Sequence, residues 1–186
     1  MNKNKIEPWL VLDAVEACLE DYGEPAKAEK LLVNAVKNYQ ASDGTDSYWF
    51  RCFGDTAYEK LKNTELAQSA YLKAMKSARN SLDMCLVLDS SFRFIISHEL
   101  FMKYMELAII RAETEKDALT LGCFAILAHE KLKDRKLAGA IFAKGQNIAR
   151  LRVKDFEETF FSKGFDEFLL ATESIRFEIE EYHPKT

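Results

Sequence analysis

Apolar residues recur along this chain every three or four positions, the spacing that gathers them on one face of a helix. Trp9, Leu10, Leu12, Val15 and Leu19 mark a first helix that opens at Pro8 and ends near Tyr22 and Gly23. Proline suits a first helical turn, where its missing N–H has no partner to lose, and glycine tolerates the left-handed conformation that closes a helix. Pro25 opens a second helix through Ala28, Leu31, Leu32, Ala35 and Val36, and Asp43-Gly44-Thr45-Asp46-Ser47 then breaks the pattern. A second pair follows, from Ser47 to about Leu61 and from Glu65 to about Ala78, with a turn at Lys62–Thr64. The third pair is less regular. One helix carries Met84, Leu86, Leu88, Phe92 and Ile95; the next, capped by Ser97, carries Leu100, Phe101, Tyr104 and Ala108. In Thr114-Glu115-Lys116-Asp117 the threonine reads as a helix cap with an acid three residues on. It would open a fourth pair, to about Leu132 and then from Arg135 to about Arg152. The segment from Asp155 reads as one or two helices, with Gly164 as the interruption, and no segment reads as a strand.

Loops this short make the two helices of each pair antiparallel neighbours. The expected fold is therefore all-α: one domain over residues 1–186, built from helix hairpins at 7–41, 46–79, 81–113 and 114–153. A C-terminal helix or helices at 155–183, acidic on the outside, would cap the last apolar surface.

The chain also repeats itself. Arg51–Lys73 (RCFGDTAYEKLKNTELAQSAYLK) aligns with Gly122–Lys144 (GCFAILAHEKLKDRKLAGAIFAK) at a displacement of 71 residues, with ten of 23 positions identical. A fixed displacement is the mark of stacked supersecondary units, none of which can bury its apolar face alone. Within the repeats, Tyr58, Ala67, Tyr71 and Ala74 correspond to His129, Ala138, Phe142 and Gly145, and in the first hairpin to Leu19, Ala28, Leu32 and Ala35. Alanine or glycine lets two helices approach closely, and the bulky residue a turn away fills the remaining gap.

An aromatic in the first helix followed by small–aromatic–small in the second resembles the tetratricopeptide repeat, over roughly residues 7–150. The departures are that the Trp-x-x-Leu-Gly opening is blurred, no unit ends in proline, and the third unit keeps few signature residues. The resemblance implies an antiparallel helix-hairpin solenoid that binds a peptide or helical segment of another protein in a concave groove lined by the first helices. Carried across position by position, that groove comprises Trp49, Cys52, Thr56, Glu59 and Lys60 in the second unit. It continues with Thr120, Cys123, Leu127, Glu130 and Lys131 in the fourth, and Leu10, Asp13, Ala17, Glu20 and Asp21 in the first. The family's Lys/Asn clamp for a partner's C-terminal carboxylate is absent, because Asp13 and Ala17 stand in its place. A mixed acidic and apolar groove suits an amphipathic or partly basic segment.

Composition narrows the rest. Of 186 residues, 48% are apolar and 30% charged, with seven Gly and three Pro, a helix-rich composition with no apolar run long enough for a membrane span. The opening MNKNKIEPW has no apolar core after its basic residues, so no secretory signal is expected and a cytoplasmic location follows. Cys18, Cys52, Cys85 and Cys123 stand far apart without a Cys-x-x-Cys pair, which argues against a disulfide framework or a zinc site; Cys52 and Cys123 read as small packing residues. His98-Glu99 and His129-Glu130 begin like a zinc-protease motif, but each lacks the second histidine. There is no glycine-rich phosphate loop and no Gly-x-Ser-x-Gly. The expected function is a non-catalytic adaptor or chaperone-like module without cofactor or metal. The net charge of −4 hides a basic stretch, Lys131–Lys154, with eight Lys/Arg against Asp134, followed by nine acids from Asp155 onward. That basic stretch keeps a nucleic-acid-binding reading as the alternative, though it lacks interleaved aromatics. Phe156, Phe160, Phe161, Phe165 and Phe168 cover more than one helical face, which a second copy of the chain could bury.

Overall fold

A computed structural model of the chain describes residues 7–40, 45–92 and 97–155. These contain eight α-helices and no strand: α1 (Pro8–Glu20), α2 (Pro25–Asn38), α3 (Asp46–Glu59), α4 (Thr64–Ser77), α5 (Ser81–Ser91), α6 (His98–Glu115), α7 (Ala118–Glu130) and α8 (Arg135–Asp155). The all-α class holds. The helix expected over 155–183 with its phenylalanines, Ile95, and Asp43 and Gly44 of the first break lie outside the described residues.

Helix starts follow local chemistry. Proline stands in the first turn of α1 and α2. At the starts of α4, α5, α6 and α8 a side-chain oxygen accepts a free backbone N–H: Asn63 from Leu66 at 2.9 Å, Asn80 from Asp83 at 2.7 Å, Ser97 from Leu100 at 3.3 Å, and Asp134 from Leu137 at 2.9 Å. The cap of α7 is Asp117, which accepts from Thr120 N–H at 3.0 Å. Thr114, expected to fill that role, lies instead within α6, where its hydroxyl donates to the Ile110 carbonyl at 2.8 Å. The helix runs past it because the buried face of Met105, Ala108 and Ala112 continues to the end.

Three hairpin turns share one backbone wiring. In each, a residue past the helix end donates back across the turn: Glu24 to Cys18 at 2.7 Å, Asn63 to Ala57 at 2.9 Å, and Asp134 to Ala128 at 3.1 Å. The residue before each donor is left-handed: Gly23 (φ 62°), Lys62 (φ 54°) and Lys133 (φ 57°). A side chain with a β-carbon is strained there by about 1–2 kcal/mol. Replacing the exposed Lys133 by glycine should therefore raise stability by about 0.5–1 kcal/mol in urea denaturation. Lys62→Gly should gain less, because Lys62 also sits over the Tyr58 ring, its Nζ 5.9 Å from the centroid.

By contacts the described residues divide into two compact units: 7–40, 45–79, 90–92 and 97–100 in one, 80–89 and 101–155 in the other. From its sequence the chain reads as a single domain over 1–186.

In the first unit α1 packs on α2 and α3 on α4, while α1 also meets α3 and α2 also meets α4. Polar links show which ends meet. Lys60, just past the end of α3, reaches Glu16 (3.3 Å) and Glu20 (3.1 Å) in the last turns of α1. Asn63, at the start of α4, donates to Glu29 in the first half of α2, and Lys73 donates to the Val36 carbonyl near the end of α2 at 2.6 Å. First helix therefore lies beside first helix, and second beside second, each pair parallel. Ala28 and Ala67 are fully buried where these helices approach, and Val15, Leu32, Phe53 and Tyr71 fill the core. Tyr39, Phe50 and Phe53 close one end through edge-to-face contacts of 5.7–6.2 Å.

In the second unit α7 packs on α8, and Ala138, Ile141 and Phe142 of α8 join Leu121 and Phe124 of α7 in the core. Helix α5 buries Ser81, Met84, Cys85, Val87 and Leu88, at three-and-four spacings. Leu86, expected among the core residues of this helix, falls off that stripe and is 42% exposed. Trp9 and Leu10 of α1 are likewise half exposed, the α1 stripe being Pro8, Val15 and Cys18.

Candidate binding surface

In the first unit the residues carried across from the repeat resemblance lie on the sides of α1 and α3 that remain open to solvent. Leu10, Asp13, Glu20 and Asp21 are exposed and Ala17 half-buried on α1; Trp49, Cys52 and Thr56 are half-buried and Glu59 and Lys60 exposed at α3. Trp49 meets the Tyr48 ring edge-on at 4.9 Å, and the Arg51 guanidinium lies over the same ring, 5.6 Å from its centroid. Tyr48, half exposed, was not among the expected residues; it neighbours Trp49 in sequence. The Cys52 thiol, one turn further on, is pushed up chiefly by burial, which the Tyr48 hydroxyl partly offsets. Lys60 is shared by two carboxylates of α1, whose hydrogen bonds and charge raise its pKa. Glu16, Glu20, Asp13, Asp21 and Glu59 leave this face acidic around an aromatic patch.

The second unit is different. Thr120 and Leu127, placed in the groove from the sequence, are buried, and the Thr120 hydroxyl donates to Asp117 at 2.6 Å. Cys123 and Lys131 are half-buried and Glu130 is exposed. The apolar residues that do reach solvent on α5 and α7 are Leu82, Leu86 and Leu119. The sequence signal for them was their offset from the buried stripe. A lysine past the end of the helix again links two first helices: Lys131 pairs with Asp89 of α5 at 3.5 Å, as Lys60 does with α1.

Links at successive turns of α5 hold it alongside α7. The Ser81 N–H and hydroxyl reach Glu115 at 2.9 and 2.7 Å, and its oxygen lies 3.2 Å from Asp117. One turn on, the neighbouring Cys123 thiol and burial push the Cys85 thiol up. One further turn brings Asp89 to Lys131. Glu115 is pushed up by partial burial, but the Ser81 donors and Arg111 together hold it below the ordinary glutamate value. All four cysteines are free thiols.

Among the described residues no group of three or more His, Cys, Asp or Glu is arranged to hold a metal ion, and no helix is long and apolar enough to cross a membrane. His129 is half-buried at the end of α7, and His98 is exposed at the start of α6. No protein-family model, curated protein or solved structure matches the chain.

Proposed function

We propose that the protein is a non-catalytic binding module, a tetratricopeptide-like helical-repeat solenoid whose first-helix face takes up a peptide or helical segment of another protein. The observation that carries this reading is the parallel stacking of α1 beside α3 and α2 beside α4, which leaves an aromatic and acidic surface open to solvent. The positions of the small–bulky–small signature support it. Ala28, Leu32 and Ala35, Ala67, Tyr71 and Ala74, and Ala138, Phe142 and Gly145 are all buried, as helix-to-helix contact in a stack requires. The chemistry of the face favours an amphipathic segment with basic residues, its apolar side on Tyr48 and Trp49 and its cations among Asp13, Glu20 and Glu59. The nucleic-acid alternative loses ground, because Lys131 and Lys144 of the basic stretch are ion-paired with Asp89 and Glu113. Roles as an adaptor and as a chaperone of a single client are both compatible with such a face.

The test is affinity purification of the full chain from its native cell, with and without nuclease, beside Trp49→Ala. A co-purifying protein that survives nuclease and falls at least ten-fold with Trp49→Ala is the expected result, since a buried tryptophan anchor carries about 2 kcal/mol or more. Captured nucleic acid, released by nuclease and by modest salt, would overturn the reading in favour of the basic stretch.

A further inference from the structure

We propose that the outer face of α6 is a self-association surface, on which a second copy of the chain lays its own α6 in the same direction. Helix α6 buries Phe101, Met105, Ala108, Ile109 and Ala112. By the helical period Leu107 and Ile110 straddle the side opposite that stripe, and they are 48% and 52% exposed. The helix is held in this rotation from both flanks. Glu113 is ion-paired with Lys144 of α8, and on the other side Glu115 accepts from the Ser81 hydroxyl of α5 at 2.7 Å. Single exposed apolar residues are ordinary on a protein surface. Two of them one turn apart, directly opposite the core and flanked by opposite charges, form a face.

The charges say what fits that face. Counted in heptads, Leu107 and Ile110 take the a and d positions of a coiled-coil seam, and Glu106 and Arg111 take the flanking g and e positions. In a parallel pair the g flank of each helix runs beside the e flank of the other. Glu106 then meets Arg111 of the second copy, five residues on, and the contact occurs twice by symmetry. An antiparallel pair would set each flank against its own copy, glutamate against glutamate and arginine against arginine. Glu106 is exposed. The Arg111 Nε donates to Glu115 at 2.9 Å, and a guanidinium has further N–H donors with which to hold a second carboxylate. The face is thus complementary to itself, which points to a second copy and not to a foreign helix.

The seam is short. Lys103 and Thr114, both exposed, hold the next d and a positions and bound the two apolar layers. The Lys103 stem can lie along the seam with its ammonium in water, and one polar seam position fixes register at a cost in affinity. None of these residues belongs to the surface around Tyr48 and Trp49, so self-association and partner binding are separable.

Sedimentation velocity of the full chain tests this over about 1–500 µM, where so small an interface is expected to associate. The expected result is a reversible monomer–dimer equilibrium that Leu107→Asp weakens about ten-fold or more. Glu106→Arg and Arg111→Glu should each weaken it similarly, because like charges then face one another across the seam. Mixed in equal amounts, these two variants should associate with each other more tightly than either does with itself, since each supplies the charge the other lacks. The proposal is overturned if the unsubstituted chain stays monomeric throughout, a result that needs no variant to fold. It is also overturned if Leu107→Asp dimerises as before, which would place the contact elsewhere, or if the mixed variants gain nothing over the separate ones.

Discussion

Truncating Phe124 to alanine is expected to remove about 3–5 kcal/mol of stability, a large part of the roughly 5–15 kcal/mol that keeps an ordinary domain folded. Phe124 is fully buried in the middle of α7, whose inward residues Leu121, Ala125 and Ala128 face Ala138, Ile141 and Phe142 of α8. Removing the ring forfeits its transfer free energy and leaves a hole that the close-packed neighbours fill only in part. Leu119→Ala, on the same helix but 41% exposed, should change stability by no more than about 0.5 kcal/mol. Urea denaturation of the two variants side by side checks the contrast. A loss below 1 kcal/mol at Phe124 would show that α7 and α8 are not packed as described.

The second large effect is expected from the opposite change, added bulk at Gly54. A β-carbon there would lie 2.8 Å from Cε1, 2.9 Å from Cζ and 3.0 Å from Cδ1 of Tyr71. The ring has little room to retreat: it is buried, and its hydroxyl donates a hydrogen bond to the Asp55 carboxylate. Gly54→Val should therefore destabilise by about 3 kcal/mol through overpacking. Gly54→Ala should lose only about 1 kcal/mol, because alanine regains roughly 1 kcal/mol of helix propensity. The matching repeat points to the compensation. Ala125 stands where Gly54 does and Phe142 where Tyr71 does, so without the hydroxyl anchor the ring has freedom to shift. Combining Gly54→Ala with Tyr71→Phe should thus lower stability by less than the sum of the two single changes, measurable as a double-mutant cycle.

Helix order and most boundaries were legible in the sequence because the signals that set them are local. Pro8 and Pro25 start helices in their own first turn, Asn63 and Asp134 cap theirs three residues on, and Gly23 closes α1 by its own backbone freedom. Thr114 shows the limit of such signals. Both it and Asp117 could cap a helix, and the choice was made by the buried face of α6 beyond the four residues of the motif. Leu86 fails for a related reason: in an apolar helix several stripes look alike, and only packing selects Ser81, Met84, Cys85, Val87 and Leu88. The exposed first-helix residues of the first unit followed from the repeat alignment. Thr120 and Leu127 are buried although their counterparts Trp49 and Thr56 are only half so, because α7 is apolar on nearly every side. The influence of Cys123 on Cys85 was out of reach altogether, because short-range cysteine spacing says nothing of residues 38 positions apart on different helices.

In the first unit each of the helices α1 to α4 touches the next one or the next but one along the chain. A polypeptide wired in this way closes only short loops on its way to the native state, so little entropy is spent before contacts repay it. Nucleation can begin in either of its hairpins and spread to the neighbour, which favours rapid folding and leaves few intermediates with stranded apolar surface.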